Sequence, residues 1–214
     1  MERWQTHRVL LLLFSGSLAF AASAQDYDYG DDIYGDDVDG GIVGGDSQQG
    51  LIDDDDATAT SFVALLRGIQ EVPSISSAGQ GEFSAELDEA ASMITYTLTY
   101  EGLENVEQAH IHVGQVHTNG GISVFLCTNL ENGPPDTQTC PEGTAEITGT
   151  IMAAQVIGPA DQGLDEGEFE ELVAAMRAEA AYANVHTTGF PAGEIRGQID
   201  PEDDDDLDDP DDDL

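Results

Sequence analysis

The stretch QGEFSAELDEAASMITYTLTY, residues 80–100, holds the clearest pattern in the chain. From residue 94 onward, apolar or aromatic residues fall at every even position: Ile94, Tyr96, Leu98 and Tyr100. Because successive residues of a β-strand point to opposite faces, this alternation predicts a strand with one buried face. Gln80–Leu87 is predicted to be its partner, and residues 88–91 (Asp-Glu-Ala-Ala) between them are consistent with a hairpin turn.

Six further segments show strand-like patterns separated by glycine, proline and asparagine turns. They are Ser61–Ile69, Val106–Val113, Gly121–Cys127, Thr144–Met152, Ala181–His186 and Glu194–Ile199. With Ser92–Tyr100 and Gln80–Leu87 they make eight short strands. Eight strands with turn signals between them predict one all-β domain, an antiparallel sandwich or barrel, over residues 61–199.

Residues 165–180 break the β pattern. Their apolar side chains recur at the spacing of one helical face: Phe169, Leu172, Val173 and Met176. Asp165 is expected to cap this helix, and Arg177 lies in its last turn, where a cation suits the helix dipole. The segment is predicted to be one amphipathic helix that covers an open end of the β-domain.

Residues 1–24 are predicted to be a secretory signal peptide. Arg3 and Arg8 precede an apolar stretch, Val9–Phe20, and an A-x-A cleavage site ends at Ala24. The alternative is an uncleaved membrane anchor, but a spanning helix needs about 20 apolar residues and this stretch is shorter. We therefore expect a secreted or periplasmic protein with no membrane association after cleavage.

Two acidic segments flank the predicted domain. Residues 25–60 contain twelve aspartates and no lysine or arginine, and residues 200–214 contain eleven acids and no base. Neither segment can bury enough apolar surface to offset the entropy lost on ordering, so both are predicted to be disordered. Their carboxylates would attract divalent cations only weakly.

The net charge of −39 restricts the partners of this protein. Binding to nucleic acid requires cationic groups to neutralise phosphates, and the chain has five arginines and no lysine. We expect neither nucleic acid nor anionic lipid as a partner. Mutual repulsion of the acids favours solubility. High salt would screen that repulsion, which suggests the hypothesis of a saline habitat.

The two cysteines, Cys127 and Cys140, flank a loop rich in asparagine, glycine, proline and threonine. Because a leader precedes them, an oxidising compartment and a disulfide are expected. A metal–thiolate site would need another cysteine or histidine within this segment, and the segment contains none.

Histidines are the main candidates for chemistry. His110 and His112 alternate within AHIHV, so they are predicted to share the outer or loop-covered face of one strand with Val106. His186 lies on a later strand, and His117 follows a glycine turn that would let it fold back. Two histidines at this spacing can hold one metal, and copper or zinc would suit imidazole ligands. The alternative is structural or surface histidines.

The remaining polar residues and glycines of the motifs are predicted to have structural roles. Arg67 and Arg196 are expected to form ion pairs among so many acids, and Asn184 to hydrogen-bond a neighbouring loop. Gly193 and Gly197 are expected at turns and close backbone approaches. The sequence contains no nucleophile elbow, phosphate loop or H-E-x-x-H motif.

Five motifs in order resemble one known family, the CHRD domain, first named in chordin and common in exported bacterial proteins. They are GIQEVP (68–73), AHIHVG (109–114), NGG (119–121), YANVHT (182–187) and GEIRGQI (193–199). The resemblance spans residues 61–199 and implies an immunoglobulin-like or superoxide-dismutase-like β-sandwich of about eight strands. It does not imply an enzyme, because the family has no settled activity in bacteria.

A weaker resemblance is to the copper–zinc superoxide dismutases. His110, His112, His186 and Arg196 follow a comparable order, but the chain lacks a long histidine-rich zinc loop. Three functions are left open: an exported binding module for an extracytoplasmic protein or polysaccharide, a copper or zinc protein, and a redox enzyme. The sequence favours the first, which is not an enzyme and needs no cofactor, because only the histidines argue for the other two.

Overall fold

The computed structural model describes residues 56–202, and these contain nine β-strands and one α-helix. The strands are β1 (Ser61–Arg67), β2 (Gln80–Asp88), β3 (Met93–Glu101), β4 (Val106–Val113), β5 (Gly121–Thr128), β6 (Ala145–Ile151), β7 (Ala181–Thr187), β8 (Ile195–Gln198) and β9 (Asp200–Pro201), and the helix is α1 (Phe169–Arg177). Short 3-10 turns lie at Asp56–Thr58, Gly68–Gln70, Ala153–Gln155 and Ala160–Gln162. All eight predicted strands are present, with ends that agree within two residues.

The predictions for the leader and for most of both acidic segments lie outside the described residues. At the C-terminal boundary, the predicted acidic segment begins at Asp200, but Asp200 and Pro201 form β9 by pairing with Val63 and Phe62 of β1. An edge position tolerates the proline, which has no N–H to donate. Within residues 56–202, no helix is long and apolar enough to cross a membrane.

The nine strands form one antiparallel sheet with the order β5-β4-β7-β8-β1-β2-β3-β6, and β9 pairs with β1. Strands β1 and β8 are joined by a single register pair, Arg67 with Arg196. This short junction separates the sheet into two halves. The halves also contact each other near the two ends of this order, where the Tyr96 hydroxyl of β3, the neighbour of edge strand β6, donates to the Leu126 carbonyl of edge strand β5 at 3.2 Å. The predicted antiparallel β-sandwich is therefore confirmed, in a nearly closed, barrel-like form.

One hydrophobic core lies between the two halves. Phe62, Phe83 and Leu98 enter it from the β1–β2–β3 half, and Ile111 and Val185 enter it from the β4–β7 half; all five are fully buried. Burying such side chains stabilises the fold by about 1.5–3 kcal/mol each relative to leaving them exposed. This core fixes β4 and β7 side by side, and both strands carry histidines on their opposite face.

The helix α1 packs its predicted apolar stripe into this core, with Phe169, Leu172, Val173 and Met176 all buried. It is shorter than predicted and is not capped by Asp165. Gly167 has a φ of +88°, which is incompatible with a helix, so α1 begins after it. Asp165 instead donates its backbone N–H to the Glu168 carboxylate at 2.7 Å.

The predicted disulfide joins Cys127 at the end of β5 to Cys140, across a sequence separation of 13. Both cysteines are buried. The loop between them also contacts the opposite half of the sheet, because Gln138 donates its side-chain amide to the Tyr96 hydroxyl at 3.0 Å and to the Thr148 carbonyl at 3.2 Å.

Candidate metal centre

Three histidines converge on the face of β4 and β7 that points away from the core. These strands are antiparallel neighbours, and their register pairs His110 with Asn184 and His112 with Tyr182. His186 follows Asn184 by two residues, so it lies on the same face beside His110. One ligand nitrogen from each of the three imidazoles lies within 4.8 Å of the others. We call these three residues the histidine cluster.

Backbone carbonyls orient two of the three rings. The Nδ1 of His112 lies 3.1 Å from the Gly120 carbonyl, and the Nδ1 of His186 lies 3.0 Å from the Pro191 carbonyl. Since a carbonyl only accepts, each Nδ1 carries the proton and each Nε2 is left with its lone pair. The Nε2 of His186 lies 3.1 Å from the Nδ1 of His110, so these two rings contact each other directly.

The cluster contains polar atoms that nothing in the described residues satisfies. The Nε2 atoms of His110 and His112 are buried and have no hydrogen-bond partner within residues 56–202. Leaving a buried polar atom unpaired costs about 1–3 kcal/mol. Such atoms call for an explanation, and a bound metal is one that fits imidazole nitrogens.

Burial also sets the charge of the cluster. Loss of solvent around His110 lowers the pKa of its imidazole from 6.5 to about 2, with further lowering by its two histidine neighbours. Burial lowers the pKa of His112 to about 4, although the Gly120 carbonyl opposes the shift, and it lowers the pKa of His186 as well. All three rings are therefore neutral at ordinary pH, the form in which imidazole binds a metal.

Aromatic side chains enclose the cluster. The ring of Phe125 meets His110 edge to face, with a centroid separation of 4.3 Å. The ring of Tyr182 stacks parallel to His112 at 4.8 Å, and the guanidinium of Arg196 lies 3.5 Å from the centroid of that same tyrosine. Solvent is excluded from the histidines, of which none is more than 7% exposed.

Arg196 holds the loop after β4 over the histidine cluster. Its guanidinium donates to the Thr118 carbonyl at 2.6 Å and to the Gln115 carbonyl at 3.1 Å. The side chain is 2% exposed. Because it satisfies carbonyls of a loop that also supplies the Gly120 carbonyl to His112, Arg196 positions the ring indirectly.

The prediction of ion pairs for Arg67 and Arg196 is wrong. Arg67 donates to the Leu66 carbonyl, and Arg196 bonds loop carbonyls. In the part of the chain that the structure describes, the one ion pair joins Arg177 to Glu89 at 2.7 Å. Backbone carbonyls outcompete the acids here because the fold brings the carbonyls to the buried guanidinium and leaves most carboxylates in solvent.

Asn184 bonds residues from two other segments. Its amide donates to the Glu71 carboxylate at 2.6 Å and to the Ile195 carbonyl at 3.1 Å. Glu71, which received no role from the sequence, is 7% exposed, and its burial raises the pKa of its carboxyl to about 7. Gly193 has a φ of +127° and leaves the space that both side chains need. The only sequence signal for Glu71 was its place in the GIQEVP motif.

Two expectations about the histidine strand need correction. Val106 does not share the histidine face, because a register shift between Val106 and Gln108 turns it into the core with Ala109 and Ile111. His117 is exposed in the turn after β4, at a φ of +64°, and lies outside the histidine cluster. The structure therefore brings together three of the four histidines that the sequence nominated.

Fold and site together define an antiparallel β-sandwich domain with a buried histidine cluster on one sheet face. The CHRD domain family model matches residues 62–199, which run from the second residue of β1 through β8 and include all three clustered histidines. The chain belongs to the CHRD domain family, as its five motifs indicated. A search of curated proteins finds no match.

Proposed function

We propose that this protein is an exported, non-catalytic CHRD module that binds a transition-metal ion, copper or zinc, through His110, His112 and His186. One observation carries the proposal: three buried imidazoles converge, and carbonyls of Gly120 and Pro191 direct two of their Nε2 lone pairs inward. Metal-binding histidines are commonly oriented in this way by a second bond from the other ring nitrogen.

The spacing of the nitrogens supports this assignment. Ligands about 2.0 Å from one metal lie about 3.3–3.5 Å from each other. The Nδ1 of His110 lies 3.1 Å from the Nε2 of His186, and one nitrogen from each of the three rings lies within 4.8 Å of the others. Binding of one ion by all three rings would require the shortest separation to lengthen slightly and the longest to shorten by up to about 1.4 Å.

Export and the absence of catalysis are parts of the same proposal. A leader-like segment at residues 1–24 and a disulfide between Cys127 and Cys140 support export. The near-complete burial of the three histidines supports binding without turnover, because a substrate would need access to the ion. Protein or polysaccharide partners remain the alternative if the histidines are structural.

The test uses the full chain, exported, oxidised and untagged, after incubation with copper and zinc salts. Elemental analysis should find about one metal ion per chain in the wild type. His110→Ala/His112→Ala should lose it, and His117→Ala, an exposed histidine outside the cluster, should keep it. Circular dichroism establishes that each variant retains its sheet.

The result that overturns the proposal is a wild type that takes up neither metal and melts at the same temperature with and without a chelator. The three histidines would then be structural, and the search would turn to protein or polysaccharide partners. N-terminal sequencing of the exported chain tests the leader separately, with Gln25 expected as the first residue.

A further inference from the structure

We infer that the metal of the histidine cluster is monovalent copper, held by His110, His112 and His186 alone in a dry three-coordinate site. This inference rests on the proposed metal function and specifies its ion. Imidazole by itself suits zinc and both oxidation states of copper, so the ligand type does not decide between them. The charge of the ion, the number of ligands and the access of solvent decide between zinc and the two oxidation states of copper.

The first argument is charge. Imidazoles bind metals as neutral ligands, and within residues 56–202 the cluster includes no carboxylate or thiolate. The cost of burying an ion grows with the square of its charge, so a divalent ion costs about four times as much as a monovalent ion of equal size. A site of three neutral ligands offsets that cost far better for a single positive charge.

A buried positive charge on the same side of the sheet strengthens this argument. The Arg196 guanidinium lies 3.5 Å from the ring centroid of Tyr182, which stacks on His112. At any given distance, the Arg196 cation repels a divalent ion in the cluster about twice as strongly as a monovalent one. Two buried carboxylates lie on the segments around the cluster, but Glu71 bonds Asn184 and Glu194 bonds Thr187 and Ser77 rather than any of the histidines.

The second argument is the number of ligands. Zinc in proteins is almost always four-coordinate, with water completing any set of three protein ligands. Here a fourth ligand is hard to supply: His117 is exposed outside the cluster, and His110 is fully buried against Phe125. Monovalent copper is stable with three ligands, so it needs no water in this enclosed space.

The cysteines do not compete for the ion. Thiolates are stronger ligands for monovalent copper than imidazoles are. Cys127 and Cys140 are joined in a disulfide, so neither offers a thiolate. Copper that reaches this protein in its oxidised form therefore meets the histidines as its buried ligands.

The experiment titrates the metal-free, full-length oxidised protein under anaerobic conditions. Monovalent copper is measured against a chromophoric copper chelator, and zinc is measured against a chromophoric zinc chelator. We expect monovalent copper to bind at least ~100-fold more tightly than zinc. X-ray absorption of the copper complex should show three nitrogen ligands at about 2.0 Å and no bound water. His117→Ala should match the wild type, and His110→Ala/His112→Ala should lose the copper site.

Each outcome separates this inference from the proposed function. Zinc binding that equals or exceeds copper binding, or a four-coordinate copper site, overturns the inference and leaves the metal function intact. Failure of both ions to bind overturns both. Copper that the double variant retains in full would also overturn the inference, since the ion would then lie elsewhere in the chain.

Discussion

Around Gly193 the side chains are packed so closely that there is no room for an added methyl group. The side chains of Glu71 and Asn184 occupy the space beside Gly193. A Cβ added at Gly193 would lie 2.6 Å from the Glu71 carboxylate and 2.7 Å from the Asn184 amide. These contacts link the loop after β1 to β7. Individual residues there therefore affect both stability and the position of the histidine cluster.

Gly193→Ala should lower the free energy of unfolding by about 3 kcal/mol, since it adds both a strained φ and a clash with Glu71 and Asn184. Urea denaturation measures the change. Gly143→Ala is the matched control: its φ is +77°, but nothing lies within 4 Å of the added Cβ. That variant should lose only about 1 kcal/mol. Equal losses in the two variants would refute the clash.

The metal-free protein should become less stable as the pH falls from about 6.5 toward about 5. The folded pKa values of His110 and His112 are about 2 and about 4, against 6.5 when unfolded, and the pKa of His186 is also lowered. In this range the unfolded chain binds protons that the folded chain does not, so stability declines by up to about 1.4 kcal/mol per pH unit for each histidine.

Glu71 works in the opposite direction. Its folded pKa of about 7 exceeds the unfolded 4.5, so the folded chain binds one extra proton between those values. One carboxyl against three histidines leaves the net effect destabilising on acidification. Urea unfolding at two pH values tests this, with His117→Ala expected to show the same decline. Stability that holds or rises on acidification would contradict the assignment of three buried neutral rings.

The strands and the helix lie where their local sequence patterns predict them. The loop between β5 and β6 is held in place by specific crosslinks. The loop between β5 and β6 is tied at one end by the disulfide and crosses to the opposite half of the sheet through Gln138. Gln138 also donates to the Thr148 carbonyl of β6, so the loop bridges β5 and β6, the two edge strands of the sheet order.

Cys127→Ser/Cys140→Ser should lower the free energy of unfolding by about 3 kcal/mol, because the unfolded loop regains the entropy that the crosslink removes. Denaturant unfolding measures this, and reduction of the wild type with dithiothreitol should produce a similar loss without a mutation. If neither the variant nor the reduced protein is weakened, the loop does not depend on the crosslink.

The molecule as a whole is dominated by its negative charge. The chain carries 44 acidic residues against 5 arginines, and one ion pair, Arg177 with Glu89, was identified in residues 56–202. Most of the acids therefore repel one another through solvent. Salt screens such repulsion over distances of a few ångströms at molar concentration.

We expect the melting temperature to rise steadily between low salt and molar NaCl. Differential scanning calorimetry measures the change. An uncharged osmolyte at matched osmolality is the control, because it promotes burial without screening charge. If NaCl stabilises the protein no more than that osmolyte does, repulsion among the acids is not what limits its stability.

The strands, the helix stripe and the disulfide were predictable because their signals are local. The alternation in Met93–Tyr100 and the helical spacing of Phe169 and Met176 depend on neighbours a few residues apart. The same logic paired His110 with His112. The alternation did not predict the position of Val106, because a bulge in the pairing with β7 turns this side chain from the histidine face into the core. Bulges arise from strand pairing and not from the strand's own sequence.

The sequence by itself determined the fold class, the family and the four histidines worth testing. Only the tertiary structure decided that β7 lies beside β4, which brings His186 to His110 and leaves His117 outside. It also decided that Arg196 bonds the Gln115–Thr118 loop rather than an acid. The reason is physical: local patterns fix which residues form strands, whereas strand order and burial depend on contacts between residues more than 70 positions apart.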